Sequence, residues 1–176
     1  MKKKLTATLL AIASTVFIAA LSGCNLSWWL LKPETPTVES IRNSIRNWNV
    51  ELPENIELVY YATELGPRGD GWYYDELRYD GYYKDFNAIF IKEKNETFEK
   101  FFKIPATQSL NSAYKNTPDD FTLPDLSDDY WWIMINNSND KYERIDKFDQ
   151  DTIYDNYLCI LYIKNQRKLS IARYKL

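Results

Sequence analysis

Residues 38–176 read as one α+β domain, a mainly antiparallel sheet of about six or seven strands with one or two helices packed against it. Short runs of β-branched and aromatic residues recur along the chain, divided by polar turn signals. Apolar residues at helical spacing occur near Ile41 and near Phe98. No strand–helix–strand rhythm is visible, which argues against a doubly wound parallel sheet.

Val38, Ile41, Ile45 and Trp48 share one helical face, with Thr37 as N-cap and Pro53 beyond the end. Ile56 to Thr63 is rich in apolar, β-branched and aromatic residues and predicts the first strand. The run Gly66-Pro67-Arg68-Gly69-Asp70-Gly71 holds three of the chain's five glycines and predicts a turn. Trp72 to Asp80 alternates as the returning strand, and Phe86 to Lys92 predicts a third.

Phe98, Phe101 and Phe102 predict a short amphipathic helix over Glu96 to Lys103, stopped by Pro105. From Pro105 to Asp129 the residues follow no period. That stretch reads as a long loop pinned to the core by Phe121, Leu123 and Leu126. Tyr130 to Asn136 predicts a strand, Asn136 to Asp140 a polar turn, and Lys141 to Phe148 an exposed strand. Tyr157 to Ile163 is the most continuously apolar run after Thr37, so it predicts a central strand covered on both faces. Leu169 to Tyr174 closes the domain as a strand whose nearby lysines suit a sheet edge.

Composition narrows the chemistry. The chain has 176 residues and a formal charge of −3, and residues 1–23 contribute three lysines and no acid. A mildly acidic domain lacks the basic footprint that nucleic acid requires, so no nucleic-acid partner is expected. There is no histidine, which removes the commonest general base and a favoured zinc ligand. Of the two cysteines, Cys159 lies in Leu158-Cys159-Ile160-Leu161 and reads as a buried, inert thiol.

Arg68-Gly69-Asp70 matches a cell-adhesion tripeptide, but glycine and aspartate are what a hairpin loop requires. Asp146, Asp149, Asp151 and Asp155, and again Asp119, Asp120, Asp125, Asp128 and Asp129, crowd two polar segments. Asp149-Gln150-Asp151 begins like a calcium loop, but no glycine follows at the sixth place and Ile160 falls at the twelfth. Solvated charge is therefore expected there, with no metal and no cofactor.

Aromatic residues are abundant, and Trp72, Tyr74 and Trp132 are candidate binding residues. Exposed rings beside carboxylates suit a sugar, since a ring covers the sugar's apolar face while polar groups bond its hydroxyls. The competing role is packing, because strands favour aromatics in their cores. Alternation sends Trp131 and Trp132 to opposite faces. Nothing selects one carboxylate pair for glycoside hydrolysis, so no catalytic residue is assigned and a non-enzymatic role is expected.

The N-terminal residues have a separate logic. Lys2, Lys3 and Lys4 precede a nearly apolar stretch from Leu5 to Leu21, the order of a secretory signal. The stretch is slightly short for a membrane span, which needs about 20 apolar residues. Leu21-Ser22-Gly23-Cys24 resembles the lipobox of bacterial lipoproteins at every position. The resemblance implies cleavage after Gly23 and diacylglycerol on the Cys24 thiol. Residues 1–23 are then a signal peptide, and residues 24–37 a tether that holds the domain to a membrane.

Trp28-Trp29 behind Cys24 suit either the headgroup layer or packing on the folded domain, and Pro33 and Pro36 favour an extended chain. Asn25 lacks the aspartate that retains lipoproteins in an inner membrane, which points to the outer membrane if the cell has one. Leu52-Pro53-Glu54, Val59-Tyr60, Gly69-Asp70-Gly71 and the hairpin from Asn156 to Tyr174 resemble a family of small bacterial proteins. That resemblance supports the domain boundaries and implies no activity. A cell-envelope lipoprotein that binds an envelope protein or fills a structural role is the expected function, with glycan binding through aromatics and carboxylates as the alternative.

Overall fold

Helix α1 (Val38–Arg46) begins at a reciprocal cap. The Thr37 hydroxyl accepts the Ser40 N–H at 3.1 Å, and the Ser40 hydroxyl accepts the Thr37 N–H at 2.9 Å. Each bond satisfies an amide that the first helical turn leaves without a partner. The computed structural model describes residues 35–65, 70–116, 118, 121–148 and 154–175, and residues 36–176 form one compact unit. The expected lipobox, its tether up to Glu34, and Arg68-Gly69 lie outside the described residues.

Strands β1 (Ile56–Leu65) and β2 (Gly71–Tyr79) pair antiparallel, with a register break between Leu58 and Tyr60. This bulge decides which side chains are buried together. In an unbroken strand Leu58 and Tyr60 would share a face. Here Leu58 packs in one core and Tyr60 in the other. Gly71 closes the hairpin with φ of +141°, and a Cβ there would come within 2.0 Å of the Glu64 carbonyl oxygen. Only glycine fits that approach.

Helix α2 (Glu96–Ser109) is capped by the Asn95 side chain, which accepts the N–H groups of Thr97 and Phe98 at 3.0 Å. Its length corrects the expected stop at Pro105, which lies inside the helix and is buried. Proline removes the donor that would bond the Phe101 carbonyl. That carbonyl instead accepts the Tyr157 hydroxyl at 3.1 Å, so the helix continues without a stranded acceptor. At its end, the Ser109 carbonyl accepts the Tyr60 hydroxyl at 2.8 Å.

The remaining strands are β3 (Tyr114–Asn116), β4 (Trp131–Ser138), β5 (Lys141–Arg144), β6 (Asn156–Ile163) and β7 (Lys168–Lys175). The fold is α+β, with a seven-stranded antiparallel sheet in the order β3-β1-β2-β7-β6-β4-β5. Helix α2 covers one face over Tyr60, Tyr74, Trp132 and Cys159. Helix α1 and the segments around Leu52 and Phe86 cover the other over Leu77, Ile160, Tyr162 and Ile171. β6 is buried on both faces, as its apolar run predicts.

Three expectations are corrected. Phe86 to Lys92 is not a strand: its one ladder contact is Ile91 with Trp132, while Phe86 and Phe90 turn inward as core plugs. The stretch after Pro105 contains the last turn of α2 and strand β3, although Phe121, Leu123 and Leu126 do pin the rest to the core. β7 lies in the middle of the sheet. Lys168, one of the lysines that suggested an edge, neutralises the buried Glu76 on β2.

Candidate functional site

The three aromatics expected at a binding surface are core residues. Trp72, Tyr74 and Trp132 are 4%, 0% and 1% exposed. Period-two alternation puts all of them on the sheet face that α2 covers. Trp132 stacks on Phe98 at 4.6 Å between ring centres, and its indole N–H donates to the Glu93 carbonyl at 2.7 Å. Tyr74 meets Phe102 edge-on at 6.0 Å. These rings are covered by protein and offer no face to a sugar. Trp131 does point the opposite way, where it stacks on Tyr83.

β2 carries two consecutive buried acids, one on each face. Asp75 faces α1 and contacts Arg173 on β7 at 2.8 Å. Arg173 also donates to the Ser44 hydroxyl on α1 and lies over the Tyr73 ring at 4.4 Å. Glu76 faces α2, contacts Lys168 at 3.1 Å and accepts the Tyr74 hydroxyl at 3.3 Å. Burial pushes both carboxyls above their ordinary range, and the adjacent cation opposes that shift in each case.

Glu76 and Lys168 line a recess of about 170 Å³ together with Phe121, Thr122 and Gln166. The Lys168 ammonium also donates to the Thr122 carbonyl at 2.6 Å. Both oxygens of Glu76 and the ammonium are thereby committed to protein partners. Such an arrangement fixes a strand register more readily than it moves a proton. Cys159 is fully buried, and burial holds its thiol well above the ordinary value, so little reactive thiolate forms. Among the described residues no group of acids and cysteines is spaced to hold a metal ion.

An open groove of about 740 Å³ lies between α1, the segment from Glu51 to Asn55, and the turn from Asp85 to Asn87. Its walls are tied by main-chain contacts. Arg42 donates to the Pro53 carbonyl at 2.8 Å and to the Glu54 carbonyl at 2.6 Å. The Glu51 N–H donates to the Asn87 side chain at 2.8 Å. Asp85 accepts the Tyr79 hydroxyl at 2.5 Å and the Tyr82 N–H at 2.9 Å, and these bonds hold its carboxyl below the ordinary range. Glu39, Arg42 and Arg46 line the groove from α1, and Glu51, Glu54 and Asp85 from its other walls, while Leu52 and Phe86 supply its apolar part. Such a site suits a polar, hydrogen-bonding ligand with some positive charge.

Sequence reasoning did not single out this groove. Its residues come from three separated segments, and no spacing rule unites them before folding. The chain matches no family model, no curated protein and no solved structure. Cys24 lies outside the described residues.

Proposed function

We propose that the chain is a lipid-anchored protein of the bacterial cell envelope, held to a membrane through Cys24, whose domain binds a partner and carries no catalytic site. The observation that carries the anchor is Leu21-Ser22-Gly23-Cys24, placed behind a basic start and an apolar stretch. Diacylglycerol on Cys24 supplies two acyl chains, enough for stable anchoring where one chain is marginal.

Two features support binding without catalysis. The buried ionisable groups Asp75, Glu76, Arg173 and Lys168 are already engaged with one another. The groove beside α1 offers charged and amide side chains on walls fixed by main-chain bonds. An envelope protein with a basic, hydrogen-bonding segment fits that surface.

The anchor is tested by feeding cells an alkyne-bearing palmitate and tagging the purified protein. Label in the native chain that disappears in Cys24→Ser supports the anchor; equal label in both overturns it. The groove is tested with a photo-crosslinking amino acid at Glu51, compared with one at the exposed Lys100. A distinct protein adduct from position 51 alone supports the binding reading. Adducts from neither position, or the same from both, overturn the groove.

A further inference from the structure

Strand β5 ends the sheet, and its outer edge is self-complementary. The preceding turn places Asn139 and Asp140 at φ of 54° and 60°, the two positive angles of a tight type I′ hairpin. This turn fixes the hydrogen-bonding phase of the strand. The Ile145 N–H donates inward to Met134 at 2.9 Å, so Glu143 and Lys141, two and four residues earlier, also bond toward β4. Tyr142 and Arg144 therefore turn their backbone N–H and C=O groups outward. Lys141, Tyr142 and Glu143 are exposed. No described strand pairs with this edge.

We propose that β5 pairs antiparallel with β5 of a second copy about a two-fold axis at Tyr142, joining the two sheets edge to edge. The phase allows this register because Tyr142 can exchange both of its outward backbone bonds with its own symmetry mate. Lys141 of each copy then stands directly opposite Glu143 of the other, in a non-hydrogen-bonded pair where side chains approach most closely. Both contacts join opposite charges.

Moving the axis by one or two residues removes this match. An axis at Lys141, Glu143 or Arg144 sets that residue against its own copy, and like charges face each other. Charges on an edge ordinarily repel chance partners. Here they select a strand with the inverse charge order, which the antiparallel copy supplies.

The opposite face adds apolar contact. Tyr142 packs edge-on to Trp48 at 5.3 Å between ring centres, beside a recess of about 180 Å³ rimmed by the exposed Ile89. Directly paired tyrosines bring each ring to the other copy's recess. The strand has four residues, so the interface is small and an affinity in the micromolar range is expected.

The test uses the full chain in detergent micelles, with sedimentation equilibrium as readout. The native protein should dimerise at about 10–100 µM. Lys141→Glu and Glu143→Lys each create two like-charge contacts and should weaken association by about tenfold or more. Mixing those two variants restores both contacts between unlike copies, so a one-to-one heterodimer should form. The double variant should match the native protein within about threefold. Circular dichroism melts should be similar throughout, because both side chains are exposed. A native chain that stays monomeric near 100 µM overturns the proposal, as do single variants that dimerise normally or a mixture that fails to associate.

Discussion

The Tyr157 hydroxyl donates to the Phe101 carbonyl at 3.1 Å, supplying the bond that Pro105 withholds. Strand β6 thus completes helix α2 across the core. Removing the hydroxyl with Tyr157→Phe leaves a partly buried carbonyl unpaired and should cost about 1 kcal/mol. With Pro105→Ala already present, the helix makes its own bond to Phe101, and Tyr157→Phe should then cost clearly less. Urea denaturation of the four members of this cycle measures the coupling. Costs that simply add would disprove it.

The fold class was legible because amphipathic periods are local. Val38, Ile41 and Ile45 announce α1, and the apolar run from Tyr157 to Ile163 announces a strand buried on both faces. The length of α2 was not legible, because the partner that rescues Phe101 is on β6, far along the chain. The place of β7 failed for a similar reason. Lys168 looks like an edge charge until Glu76 is seen beside it. Trp72, Tyr74 and Trp132 were ambiguous between core and surface, since strand alternation sorts faces without saying which face a helix will cover. The bulge at Leu58–Tyr60 leaves no sequence mark, yet it assigns Tyr60 to the same core.

Asp75 and Arg173 form a buried pair, and breaking it should be costlier than deleting it. Asp75→Leu leaves a guanidinium with only 12% of its side chain exposed and no carboxylate beside it. A loss of about 3–5 kcal/mol is expected. The double change Asp75→Leu with Arg173→Met replaces the ions by apolar groups and should recover most of that loss. Thermal melts of the three variants against the native chain decide the matter. A double variant less stable than Asp75→Leu alone would refute this assignment.

Asp85 should shape the acid side of the stability curve. Its carboxyl accepts the Tyr79 hydroxyl and the Tyr82 N–H, which hold its pKa below the ordinary 3.8. The unfolded chain then binds this proton at higher pH than the folded chain. The stabilisation is complete above about pH 4 and is lost as pH falls through the lower, folded value. Asp85→Asn removes that titration, so the fall in melting temperature below pH 4 should become shallower. Identical acid limbs for the two proteins would contradict the role given to Asp85.

Anchoring through Cys24 is the claim on which location, orientation and access to an envelope partner all depend. Intact-mass spectrometry of the protein from its native membranes measures it directly. The predicted species begins at Cys24 and carries diacylglycerol on that thiol, with residues 1–23 absent. Cys24→Ser should yield no such species, only an unprocessed chain or a product cut elsewhere. A native protein that retains Met1 and an unmodified Cys24 would contradict the account.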